Sequence, residues 1–140
     1  MGAVMTEVKM WNQTDLEDAR RGLIPPEAVR TVTLQALADT GAVTMVIPED
    51  AAQALGLSVI QVHNVTLADG SKRDLPTVGV FVEILGRQML CTAYVTPAGT
   101  TPLIGQIPLE YLDLVVDPNT REVRVFSQNG PRSFLLRVAA

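Results

Sequence analysis

Apolar and polar residues alternate with a period of two over most of this chain, which predicts strands in preference to helices. Val32, Leu34 and Ala36 alternate with Thr33, Gln35 and Leu37, giving a strand that starts at about Val29 and delivers Asp39 at its end. Val4 to Met10 alternates more loosely and reads as an outer strand, with Trp11 as its last apolar anchor. Val59 to Leu67 and Ser71 to Val80 flank Ala68-Asp69-Gly70, and Asp-Gly between two strand-like runs marks a hairpin. A second hairpin joins Val80–Leu85 to Gln88–Val95 about Gly86-Arg87. Leu112 to Val116 and Glu122 to Phe126 pair across Asp117-Pro118-Asn119-Thr120, where proline presets φ for a turn. Phe134 to Val138 is a last apolar strand, whose edge asks for a partner.

The period breaks in two places. Pro48 to Gly56 reads as a helix, with proline at its start, Glu49 and Asp50 in its first turn, an alanine-rich body and a glycine cap. Asn12 to Gly22 is polar, carries no apolar period and reads as either a short helical turn or a surface loop, of which the loop is taken, closed off by Pro25-Pro26.

The chemistry gathers where the second strand-like stretch turns. Ala38-Asp39-Thr40-Gly41-Ala42 sets a carboxylate between a buried strand and the apolar run Met45-Val46-Ile47. Gly41 permits a positive φ or a close backbone approach. Asp39 has no solvating neighbours in sequence, so a surrounding poor in water is expected, and a carboxylate there has an adjustable pKa. A turn-forming Asp bonded to local backbone is the plain alternative. His63, the one histidine, has no serine or cysteine triad around it; it belongs to the strand leading into the first hairpin.

Composition narrows the field. With 140 residues and 47% hydrophobic content, one domain spanning residues 1–140 is expected, and with 4% aromatics its core must be aliphatic. A net charge of -4 argues against nucleic acid or an anionic membrane as partner. The single cysteine, Cys91, excludes an internal disulfide and fits a reducing, cytoplasmic compartment. Inside its strand it reads as a small buried hydrophobe. One cysteine and one histidine are too few for a Cys/His zinc site. No run is long enough for a transmembrane helix.

Ala38-Asp39-Thr40-Gly41-Ala42, followed far downstream by Pro102-Leu103-Ile104-Gly105 and a short helix, resembles the signature of retropepsin-like aspartic proteases. The resemblance runs from about Val29 to Val125 and is nearest to single-domain bacterial members. It implies a mainly β fold, a closed barrel or sandwich with one or two short helices and one lobe per chain. It implies an aspartic endopeptidase acting on peptides as a homodimer, without metal or organic cofactor. Asp39 of each subunit would supply one carboxylate, because neither Asp69 nor Asp117 repeats the motif. Thr40 would bond across the twofold axis, and Gly41 and Ala42 would line the cleft. Asp69 and Gly70 would sit near the tip of a flap. Leu103, Ile104 and Gly105 would pack beneath the catalytic loop. Two departures stand out: Val43 and Gln106 occupy positions where retroviral members place an acid and an arginine. Two other readings compete: a non-catalytic dimerisation or peptide-binding module on the same fold, and an unrelated monomeric β-protein with a chance motif.

Overall fold

The computed structural model of the chain describes residues 3–127. Its main sheet is built from β1 (Met5–Trp11), β2 (Thr31–Ala38), β3 (Met45–Pro48), β4 (Val59–Thr66), β5 (Lys72–Ile84), β6 (Arg87–Thr96) and β7 (Leu103–Ile104). Their order is β1-β2-β7-β3-β6-β5-β4, and a further pairing of β1 with β5 closes the ring, leaving β4 outside it. The fold is mainly β, as the alternation predicts.

Each ring strand turns one set of alternate residues inward. Val8 and Met10, Ala36, Met45 and Ile47, Val78 to Ile84 in steps of two, Ala93 and Ile104 fill the core. Aliphatic side chains dominate it, as a chain with few aromatics requires. β1 is not an outer strand: it pairs with β2 along its whole length and with β5 at Lys9–Trp11. Alternation reports which face of a strand is buried, not whether its edges are taken, so the sequence left this open.

The two hairpins form about the expected turns but share a strand. β5 runs unbroken for 13 residues, pairing with β4 through its first half and with β6 through its second. The first half therefore projects beyond the barrel as a two-stranded arm whose tip carries Asp69 and Gly70. Beyond the barrel, β8 (Leu114–Asp117) and β9 (Glu122–Val125) form a small separate sheet. The strand expected at Phe134–Val138 lies outside the described residues.

Three α-helices are present among the described residues, where one or two were expected. α2 (Glu49–Leu55) matches the expectation, with Gly56 in the left-handed conformation (φ 65°) as its cap. α3 (Gln106–Tyr111) follows the Leu-Ile-Gly segment. The correction is α1 (Gln13–Arg20), a helix where a loop was expected. Polar contacts hold it instead of an apolar stripe, which is why no period announced it. The Asn12 side chain accepts from the Asp15 N–H at 2.9 Å and donates to the Leu55 carbonyl at 2.8 Å. The Asp15 carboxylate in turn grips the Arg30 guanidinium at 2.8 and 3.0 Å.

Candidate active site

The ladder of β2 runs past its last strand residue into the Asp39 loop. The Leu37 N–H donates to the Pro102 carbonyl and the Asp39 N–H to the Ile104 carbonyl, each at 2.9 Å. Inside the loop, Asp39 Oδ1 accepts from the Gly41 N–H at 2.9 Å, and the Asp39 carbonyl accepts from the Ala42 N–H at 3.1 Å. The carboxylate thus has one oxygen fixed by local backbone and the other free to act.

The downstream segment grips the loop from its other side. Gln106 donates its N–H to the Ala42 carbonyl at 2.8 Å, and Ile107 to the Val43 carbonyl at 2.9 Å. Gly105 lies so close that a Cβ there would fall 2.6 Å from the Thr44 nitrogen and 2.7 Å from the Ala42 carbonyl oxygen, and closer still to the Thr44 carbonyl. All three are backbone atoms, which cannot swing aside. Thr44, buried at the end of the loop, donates its hydroxyl to the Thr92 carbonyl at 2.7 Å. Asp39, Thr40, Gly41 and Ala42 are therefore brought together with Leu103, Ile104 and Gly105. Thr44 was not singled out from sequence; a hydroxyl at the first position of an otherwise apolar run was the available signal.

Within one chain the loop is open to solvent, contrary to the expected water-poor surrounding. Asp39 is half-buried, Thr40 and Gly41 are exposed, and Val43 is 64% exposed. Strand parity explains this. Asp39 shares the alternation of Leu37, which faces away from the core, and not that of buried Ala36. The Thr40 hydroxyl has no hydrogen-bond partner among the described residues. Beside Val43, Ile107 is 50% exposed, so the open side of the loop is bordered by apolar groups. The Gln106 side-chain amide donates to Glu110 Oε1 at 3.0 Å, within its own helix.

A row of side chains crosses the outer face of the sheet from this loop to the projecting arm. Leu37 pairs with Leu103, Leu103 with Val46, and Val46 with Tyr94. Tyr94 pairs with Thr77, and Thr77 with Gln61. Directly paired residues share a face, so these form one continuous strip, half-buried for most of its length. The sequence reading missed Val46, Tyr94 and Thr77 as site residues, although the alternation that hides their neighbours in the core also turns them outward. His63 closes the strip: its ring lies edge-on to Tyr94 at 5.9 Å, with Nδ1 3.0 Å from the Thr77 hydroxyl and Nε2 2.8 Å from Gln61 Oε1.

Asp69 and Gly70 occupy the turn at the tip of the arm, and their hydrogen bonds stay within it. Asp69 Oδ1 accepts from the Ser71 hydroxyl at 2.6 Å and from the Ser71 N–H at 2.9 Å. Those bonds hold its carboxyl below the usual carboxylate range. Cys91 is buried in β6, and burial pushes its thiol up to about 12, which leaves no thiolate for nucleophilic work near neutral pH. Among the described residues no group of three or more His, Cys, Asp or Glu side chains is arranged to hold a metal ion. No helix among them is long and apolar enough to cross a membrane.

Comparison with known proteins bears on the same segment. A family model described as aspartyl protease matches residues 28–107, more than half of the chain and the whole interval from β2 to the start of α3. The fold is similar to the solved structure of the EIAV protease complexed with the inhibitor HBY-793. The TM-score is 0.53 and the identity 18%, over 78% of this chain and 86% of that one. The solution structure of the Simian Foamy Virus (mac) protease is also similar, at 16% identity over 77% of this chain and 93% of that one, with a TM-score of 0.49. No curated protein matches the chain.

Proposed function

The chain belongs to the aspartyl protease family, and from that premise we propose that it is an aspartic endopeptidase working as a homodimer. The reaction needs two carboxylates sharing one proton, held close enough that both cannot ionise together. One chain brings one Asp39 loop, so a twofold axis beside that loop must supply the second carboxylate. The observation that carries the reading is the loop itself: braced by Ile104, Gln106 and Ile107 on one side, and open at Asp39, Thr40 and Val43 on the other.

In the assembled site the ionised Asp39 takes a proton from a water as that water attacks the scissile carbonyl carbon. The protonated Asp39 of the second subunit gives its proton to the carbonyl oxygen. The resulting tetrahedral diol then collapses, and a proton passes to the leaving amine nitrogen. Gly41 fixes one Asp39 oxygen through its N–H and offers its carbonyl to an extended peptide. Ala42 keeps the neighbouring wall low, and Thr40, whose hydroxyl has no partner among the described residues, bonds to the loop across the axis. Leu103, Ile104 and Gly105 support the loop from beneath. The arm ending at Asp69 and Gly70 closes over a substrate that lies in the cleft as an added strand. The site needs no metal or organic cofactor for these steps, and residues 1–140 act as one domain.

Asp39→Asn tests this directly. It keeps the shape and the Oδ1 contact to Gly41 but cannot hold or release the shared proton. Cleavage of a diverse peptide library between about pH 3 and pH 7 should vanish while the thermal unfolding profile is retained. An asparagine variant that cleaves as well as wild type would overturn the reading.

A further inference from the structure

We propose that His63 is a specificity-determining residue of the cleft, selecting peptides that carry a carboxylate side chain within about six residues of the scissile bond. This rests on the endopeptidase reading and assigns the chemistry of one end of its cleft.

The outer strip places His63 on the same face as the catalytic loop. From β2 to Tyr94 on β6 the strip crosses three strand spacings, about 14 Å at roughly 4.8 Å each, and the His63 ring lies a further 5.9 Å from that of Tyr94. An extended peptide covers the whole distance in about six residues at roughly 3.3 Å per residue. Leu37, Leu103 and Val46 make the intervening stretch apolar, so the first polar group a substrate meets beyond the Asp39 loop is the cluster of Tyr94, His63 and Gln61, with buried Thr77 bonded to the His63 ring. His63 lies on β4, outside the barrel and at the root of the arm, where it can meet a bound peptide from above.

The hydrogen bonds orient the imidazole. Gln61 Oε1 accepts from Nε2 at 2.8 Å, and the Thr77 hydroxyl can donate to Nδ1 or accept from it at 3.0 Å. Exposed Gln61 can give way to a substrate oxygen, which Nε2 then meets as a donor. The charged or titratable neighbours on this face are few. β4 offers Gln61 and Val65, both neutral. β5 offers Leu75 and Thr77, then Arg73 paired with Val65. β6 offers the Tyr94 phenol. Asp74 pairs with Asn64, which alternation turns to the opposite face of β4. Arg73 is thus the charged side chain on this face, while Glu49 and Asp74 line the neighbouring cavity together with Arg73 and Leu75. The chain as a whole is at -4, so a preference for acidic peptides must arise locally and not from the overall field.

The test uses peptide libraries that differ by Glu or Gln at each position within about six residues of the cleavage site. Wild type, His63→Gln and His63→Lys are compared at pH 5 and pH 8, the interval across which histidine side chains change charge. The expected result is a kcat/KM preference for Glu of about tenfold at pH 5, the scale of one hydrogen bond to a charged group. That preference should collapse at pH 8, be absent at both values in His63→Gln, and persist at pH 8 in His63→Lys. If wild type cleaves but treats Glu and Gln alike at pH 5, or if His63→Gln keeps the preference, the role of His63 is overturned and the endopeptidase stands. If nothing is cleaved, binding of the same peptides decides. A Glu preference at pH 5 that His63→Gln erases upholds the subsite and overturns the endopeptidase. No binding by any form overturns both.

Discussion

Gly105 shows how a single side-chain atom is excluded by the geometry of the loop. Three backbone atoms of Ala42 and Thr44 occupy the space a Cβ would need. Gly105→Ala must push the downstream segment off the loop, and overpacking of this kind costs about 1–3 kcal/mol. A lowered urea midpoint together with a fall in kcat/KM is the expected outcome; an alanine variant with unchanged stability would mean the loop is not gripped this tightly. Cys91 gives a prediction of opposite character. With its thiol pushed up to about 12 by burial, it should resist a thiol-specific reagent at pH 8 in the native protein and react fully once unfolded. Rapid labelling of native protein would contradict the buried placement. Both positions could be read from sequence because each depends on near neighbours: a glycine ending an apolar pair, a cysteine inside a period-two run. Asp113 could not. It is fully buried, accepts from the Ser127 N–H at 3.0 Å and lies 3.6 Å from the Arg87 guanidinium, a partner 26 positions away in sequence that no local pattern points to.

Among the elements, α1 is held by charge where the others are held by burial, and its stability should follow pH accordingly. Asp15 is drawn below the usual carboxylate range, first by the side-chain hydrogen bond from Arg30 and then by the Arg30 backbone N–H. A carboxylate with a lowered folded-state pKa contributes stability above its unfolded value, about 3.9, and loses it as the pH falls through the folded value. The stability advantage of wild type over Asp15→Asn, read from denaturant midpoints, should therefore be full above about pH 4.5 and shrink in stronger acid. An advantage that grows in acid would contradict the pairing. The same element marks where sequence reading stopped. Helix α2 announced itself through its proline, acids, alanines and glycine. Helix α1 had no apolar face to show, and its anchors at Leu55, Gly56 and Arg30 appear only after the chain has folded. The long β5 is a similar case. Two hairpins were legible from their turns, but nothing in a period-two pattern distinguishes one strand of 13 residues from two shorter ones end to end. The outer strip needs register between five pairs of strands, which no single stretch of sequence contains.

At the scale of the molecule, a barrel closed by β1 against β5 leaves one functional surface unfinished: the open side of the Asp39 loop. Val43 and Ile107 border it with exposed apolar side chains. A dimer formed there is held by apolar contact, so its dissociation constant should change less than about threefold between 0.05 and 0.5 M salt, as sedimentation equilibrium would measure. A much larger weakening would point to a charged interface elsewhere. The central claim is that each active site takes one carboxylate from each chain, and subunit mixing tests it most directly. Wild-type protein is held at fixed concentration while Asp39→Asn protein is added in excess, and peptide cleavage is followed after exchange. A shared pair predicts that activity falls steadily toward zero as wild-type chains are drawn into mixed dimers. Activity that stays constant as the variant is added would contradict it, because each chain would then be working with carboxylates of its own.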